Sequence, residues 1–201
     1  DSYDSMIAYL KSDLGASIWE SLDSQGMHVV NYEFKKNPRI FFAKFPITSP
    51  ADMKGMKYRI PNLPIFEKNA RAMGATPTVV SWSEYPFALM QGVVDGGECS
   101  KDSYRSAGLY ESAKYVADVD YAYPVEQICF STQFWNSLSA DDQKVIEECA
   151  ADAAAKHTEK IADKWEEDKE WTGVVCDSVL LCDASRQRVR RLCLAVELTG
   201  L

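Results

Sequence analysis

Short apolar runs and short helical runs alternate through the middle of this sequence, each closed by glycine or proline, and the alternation confines the chain to an α/β architecture. Ile40–Phe45 is aromatic-rich and reads as a strand. Ser49-Pro50-Ala51-Asp52 is a helix start, with serine at the cap and proline in the first turn, and Gly55 stops that short helix. Met56–Ile60 is strand-like up to Pro61. Asn62 can cap a helix from about Pro64 to Met73, which Gly74 ends. Thr76–Ser81 is the next strand, and Ser83 opens a helix that runs to Gly92. Val93-Val94 then makes a short strand that falls into a turn at Asp95-Gly96-Gly97.

The flanks are more helical. Met6, Leu10, Leu14, Ile18 and Leu22 recur every fourth residue, which predicts one helix over residues 5–25. Met27–Phe34 reads as a strand, broken by Asn37-Pro38. A helix is expected around Tyr104–Lys114, with strands near Tyr115–Asp118 and Val125–Ser131. Ser139-Ala140-Asp141-Asp142 is a capping box with Asp in place of Glu, and it opens a long helix reaching about Trp171. Val145, Cys149, Ala153, Ile161 and Trp165 are the expected apolar stripe of that helix, with Cys149 packed as a small hydrophobe.

Charge excludes one large class of partner. The formal net charge is −8, so the basic footprint that nucleic-acid binding needs is missing. Arg186, Arg188, Arg190 and Arg191 form the one basic cluster, which reads as a solvated helix face. No apolar run approaches the length of a membrane span, so no direct membrane insertion is expected. The opening Asp1-Ser2-Tyr3-Asp4 has neither the basic start nor the apolar stretch of a signal peptide, which leaves the compartment open. The six cysteines, at 99, 129, 149, 176, 182 and 193, form no CxxC pair, and no histidine stands at ligand spacing from them. Neither a metal nor any other cofactor is expected.

Catalytic motifs are absent as well: there is no GxSxG, P-loop, GxGxxG or HExxH. His28 and His157 fall in a strand and on the long helix, where packing roles are expected. Cys99 could act as a nucleophile only beside a base, and the sequence places none next to it.

The stretch from Pro46 to Glu98 carries a series of motifs in a fixed order. Pro46-Ile47-Thr48-Ser49-Pro50-Ala51-Asp52-Met53-Lys54-Gly55-Met56-Lys57-Tyr58-Arg59-Ile60-Pro61 is followed by Met73-Gly74-Ala75-Thr76-Pro77 and then by Trp82-Ser83-Glu84. Ala88-Leu89-Met90-Gln91-Gly92-Val93-Val94-Asp95-Gly96-Gly97-Glu98 closes the series. In order and spacing these resemble the central signature of the DctP-type solute-binding proteins of TRAP transporters. The resemblance continues through Leu109–Val116 and Trp135–Ile146 and covers roughly residues 5–170.

This resemblance implies an α/β, two-lobed fold of the periplasmic-binding-protein (Venus flytrap) type, with a long helix spanning both lobes. The first lobe would be incomplete, because the family's receptors carry an additional N-terminal segment. Residues 1–36 and 125–165 would belong to lobe I and 37–124 to lobe II, while 166–201 has no clear place. The implied function is capture of a small organic acid by its carboxylate in the interlobe cleft. Delivery to the membrane components of a TRAP transporter would follow, outside the cytoplasm in the periplasm, without catalysis. The rival readings are a truncated receptor that binds nothing and an enzyme built on Cys99.

The resemblance also nominates a site. Arg59 ends a predicted strand, and a guanidinium there can meet a carboxylate through two parallel hydrogen bonds. Its alternative is an arginine paired with a structural carboxylate. Arg39 matches a second arginine that lines the site in some family members, and Trp82 stands where the family has phenylalanine. Cys99 occupies the place of an asparagine that would donate to ligand, and a thiol is a weak donor. Gly97 replaces the usual glutamine, and Asn62 is a further ligand-binding candidate. Glu126 falls near another lining position, where a carboxylate would favour a ligand with an amino or hydroxyl group. Glu84 is expected to hold local structure.

Overall fold

The computed structural model describes residues 2–179. Cys182, Cys193 and the cluster Arg186, Arg188, Arg190 and Arg191 lie outside the described residues. The chain is α/β and divides into two compact units, Asp1–Asn37 with Tyr123–Lys164 and Pro38–Ala122 with Trp165–Leu201.

The first unit contains helices α1 (Tyr3–Leu10) and α2 (Asp13–Ser24), strand β1 (Met27–Lys35), strand β7 (Val125–Ser131) and helix α6 (Thr132–Ser137). It also holds the N-terminal part of helix α7 (Ala140–Val175). The helix predicted over residues 5–25 is two helices. Ser12 caps the second, accepting from the Gly15 amide, and a Cβ on Gly15 would stand 2.2 Å from the Leu10 carbonyl oxygen. Ser12 and Gly15 thus break and fold a pattern that is continuous in hydrophobicity alone. β1 and β7 pair antiparallel with only each other among the described residues. Asp23 ties the ends together: it accepts from the Thr132 hydroxyl at 2.7 Å and lies 3.1 Å from His28 Nδ1, whose ring stacks on Trp135. His157 makes its bond to the Lys35 carbonyl and packs on Phe34.

The expected stripe of α7 holds only in part. Ala150, Ala154, Asp168 and Thr172 are the buried positions, Ile161 and Trp165 are half-buried, and Val145, Cys149 and Ala153 are exposed. Alanine contributes little to a periodicity count, so Ala150 and Ala154 do not stand out in the sequence.

The second unit is built on a six-stranded mixed sheet, in the order β4-β3-β5-β2-β6-β8. Its strands are β2 (Arg39–Ala43), β3 (Lys57–Ile60), β4 (Thr76–Val79), β5 (Gly96–Ser100), β6 (Tyr115–Ala122) and β8 (Asp177–Val179). Strand β3 runs parallel to β4 and β5, and β2 runs antiparallel to β5 and β6. One face packs Phe41, Ala43, Tyr58, Ile60, Ala117 and Val119. The other packs Ile40, Phe42, Tyr85, Leu89, Cys99 and Val116.

Several boundaries in this unit differ from expectation. A 3-10 turn, Pro50–Met53, occupies the helix start at Ser49, with its capping box formed. Helix α3 (Pro64–Ala72) begins from Leu63, so Asn62 does not cap it. Helix α4 (Tyr85–Met90) is short, and the strand expected at Val93-Val94 comes later, as β5. The glycines that read as a turn are the first residues of this fully buried strand. A Cβ on Gly96 would stand 2.1 Å from the Phe42 carbonyl oxygen, so the close approach of β2 demands glycine there. The helix expected at Tyr104–Lys114 is α5 (Lys101–Ser106) and a 3-10 turn, separated by Gly108 in the left-handed region.

Candidate functional site

The carboxyl ends of β3, β4 and β5 share one edge of the sheet in the second unit. Because β2 is antiparallel to them, its first residue, Arg39, reaches the same edge, opposite Ser100 in register. Ligands of open α/β sheets bind beyond such an edge. Side chains alternate along a strand, so Arg39 lies on the face of Phe41 and Arg59 on the face opposite its neighbours Tyr58 and Ile60. The two arginines approach the edge from opposite sides.

Arg59 is 6% exposed. Its Nε donates to the Val80 carbonyl at 2.9 Å. The guanidinium carbon lies 4.9 Å from the centre of the Tyr85 ring and 5.6 Å from that of Trp82. Among the described residues no carboxylate makes an ion pair with it. Burial lowers its pKa, and nearby Arg39 lowers it further. Such a group carries a desolvation cost that the nearby charge of Glu98 offsets only in part, without an ion pair between them. The alternative role, an arginine held by a structural carboxylate, belongs instead to Arg39.

Arg39 meets Glu98 with Nε and Nη2 together, the second contact at 2.7 Å. Glu98 is 2% exposed and also accepts from the Tyr121 hydroxyl at 2.6 Å. Burial opposes the charge on Arg39, but the bonds and charge of Glu98 more than compensate, and the pKa ends above the ordinary arginine value. Tyr121 reaches Glu98 through an irregularity in β6: the pairing with β2 slips between Phe41 and Arg39, and Asp120 takes a φ of 43°. Neither Glu98 nor Tyr121 stands out as a site residue in the sequence. The bulge leaves no mark there that could draw attention to Tyr121, whereas Glu98 sits inside one of the ordered motifs.

The remaining candidates fall in different places. Trp82 is 43% exposed beside Arg59. The Ser81 hydroxyl donates to Glu84 at 2.6 Å, so Glu84 holds the turn that carries Trp82. Cys99 is buried on the Arg59 face among Ile40, Tyr85 and Tyr104. Burial, with Glu98 beside it, raises its thiol pKa well above the ordinary value, the wrong direction for a nucleophile. Asn62 is exposed in the loop after β3. Glu126 belongs to the first unit, where its exposed carboxylate accepts from Lys36 at 2.8 Å. Among the described residues no group of three His, Cys, Asp or Glu is placed to hold a metal, and no helix is long and apolar enough to cross a membrane.

Comparison with known proteins places this geometry. A family model described as bacterial extracellular solute-binding protein, family 7 (DctP), matches residues 1–172. The solute-binding protein RD1_1052 of Roseobacter denitrificans is 38% identical over 120 residues, 60% of this chain and 37% of that protein. The ectoine-binding periplasmic protein TeaA of Halomonas elongata is 30% identical over 158 residues, 78% of this chain and 46% of that protein. The chain thus spans less than half the length of these relatives. The crystal structure of RD1_1052, a TRAP periplasmic solute-binding protein with bound L-galactonate, superposes with a TM-score of 0.85 at 28% identity, over 96% of this chain and 65% of that one. The fold is accordingly the two-lobed α/β fold of these receptors, in a chain that covers part of it, and the family's members are solute-binding proteins rather than enzymes. This chain belongs to family 7 of the bacterial extracellular solute-binding proteins, the DctP-type receptors of TRAP transporters.

Proposed function

We propose that this chain forms the carboxylate-binding part of a periplasmic TRAP receptor for a hydroxylated monocarboxylate of the aldonate class. One observation carries the reading: the Arg59 guanidinium is buried between two aromatic rings without a carboxylate partner among the described residues. At this edge Arg39 is paired with Glu98 and Lys101 with Asp118, while Arg59 has no ion pair among the described residues. One such charge suits one carboxylate better than two. A planar guanidinium would hold it through two parallel hydrogen bonds. Trp82 would cover the carbon chain. The L-galactonate bound by RD1_1052 supports the aldonate choice, since it is a monocarboxylate with hydroxyl groups.

In this reading residues 1–36 and 125–165 contribute to lobe I, and 37–124 form most of lobe II. The loaded receptor hands its ligand to the membrane components of a TRAP transporter. Asn62 and Glu126 are lining candidates of the same receptor, and Cys99 supports Arg59 from beneath.

Titration calorimetry and thermal melting of the purified chain with L-galactonate, D-galacturonate and succinate test this. A ligand at one hundred times its dissociation constant adds about 2.7 kcal/mol of stability. L-galactonate is expected to raise the melting temperature and succinate to leave it unchanged. A response to succinate alone would replace the monocarboxylate reading, and no response to any acid would favour a receptor fragment that does not bind.

A further inference from the structure

Tyr85 opens α4 and is 0% exposed, yet its hydroxyl has no hydrogen-bond partner among the described residues. Its ring lies under the Arg59 guanidinium and is flanked by Phe42, 5.7 Å away, and Trp82, 5.9 Å away. A Cβ built on Gly97 would stand 2.2 Å from the Tyr85 Oη, 3.3 Å from its Cζ and 3.2 Å from the Arg59 carbonyl oxygen. Gly97 has no positive φ, so glycine is needed there for space and not for backbone conformation. The tyrosine hydroxyl therefore fills a notch in β5 that any side chain would close.

We infer that Tyr85 is the positioning residue for Arg59 and that Gly97 is the notch that seats it. The inference rests on the reading that Arg59 holds the ligand's carboxylate. A ring face beneath a desolvated guanidinium attracts it through the negative charge of the π system, and no described carboxylate makes an ion pair with Arg59. With its Nε held by the Val80 carbonyl and its guanidinium over the ring, Arg59 is left with Nη1 and Nη2 to present as a fork. Glutamine or alanine at position 97 would push the ring out from under the guanidinium. Gly97 and Tyr85 are thus sterically complementary.

Solvent exchange of the Arg59 Nε–H, followed by nitrogen-15 NMR on the ligand-free protein, reads this directly. Gly97→Ala should accelerate the exchange about tenfold, and adding Tyr85→Phe, which relaxes the 2.2 Å clash to the 3.3 Å contact of the ring carbon, should restore most of the protection. Tyr85→Phe alone keeps the ring and should stay within about twofold of the parent, whereas Tyr85→Leu should exchange about tenfold faster. Unchanged exchange in Gly97→Ala, or a double variant no better than Gly97→Ala alone, overturns the inference. Should Gly97→Ala not fold, the double variant decides: native folding and exchange support the pairing, and failure to fold overturns it. Calorimetry of the parent with L-galactonate runs beside this. No binding there sinks the aldonate reading, while the exchange data still decide the role of Tyr85.

Discussion

Glu98, itself almost closed to solvent, receives Arg39 through both of its carboxylate oxygens. Breaking such a pair from one side strands the other charge. Glu98→Ala is therefore expected to cost about 3–5 kcal/mol in urea unfolding at neutral pH. Glu98→Gln keeps an acceptor for Tyr121 and should cost less. It also leaves a second uncompensated arginine at the edge, so binding preference should move toward dicarboxylates such as succinate. A Glu98→Gln protein with the parent's stability and ligand profile would mean that the pair matters to neither.

Arg59 points to a stability cost held at the binding site. Burial lowers its pKa, so the folded state disfavours the charged form that exists at every ordinary pH. Arg59→Leu is expected to raise stability by about 1–2 kcal/mol while abolishing carboxylate binding. Arg59→Lys keeps the charge but loses the fork, and should weaken binding at least about tenfold, or 1.4 kcal/mol. Paired thermal melts and calorimetry check both; an Arg59→Leu protein that still binds would remove Arg59 from the site.

The cysteines sort by burial. Among the described residues Cys99 and Cys176 are buried, and Cys129 and Cys149 are exposed. Iodoacetamide on the native protein at neutral pH should label Cys149 readily and leave Cys99 unlabelled until the chain unfolds. Cys129 should react more slowly than Cys149, because partial burial raises its pKa. Peptide mass spectrometry reads all of these, and rapid labelling of Cys99 would reopen a chemical role for it.

Asp23 links stability to pH. The Thr132 hydroxyl and then His28 lower its pKa below the ordinary 3.8. A depressed carboxylate contributes stability above its unfolded pKa and loses it as pH falls through the folded value. Melting temperature should therefore drop more steeply below about pH 4 in the parent than in Asp23→Asn. Parallel slopes in the two proteins would show that the Asp23 bonds are equally made in the unfolded chain.

The strands and turns between Ile40 and Val79 are written in glycine and proline and can be read from the sequence alone, and the motif order carries the family. Arg59 is legible as a candidate because it ends a strand in that order. Its surroundings are not, since Tyr85 reaches it from α4, and Glu98 and Tyr121 meet only through the register of β2, β5 and β6. The reading of Gly96-Gly97 as a turn fails for a related reason: glycine marks both turns and close strand approaches, and only the position of Phe42 and Tyr85 distinguishes them. The stripe of α7 is legible only in part, because Ala150 and Ala154 weigh little in a periodicity count while Val145, which weighs more, is exposed.

The two sheets should differ in protection from hydrogen exchange. Four of the five residues of β2 are buried, and the strand is paired on both sides, by β5 and by β6. β1 and β7 pair with only each other among the described residues, and β7 alternates between partly buried and exposed positions without one buried residue. A two-stranded ribbon is marginal in water, because each strand has one unpaired edge and little apolar cover. The register between β1 and β7 is also irregular at two places, which shortens the continuous ladder. Amides of Val125–Ser131 are therefore expected to exchange on the order of a hundredfold faster than those of Ile40–Ala43. Exchange followed by mass spectrometry of peptides from both segments measures this. Equal protection in the two would mean that β1 and β7 are held by more than their mutual ladder.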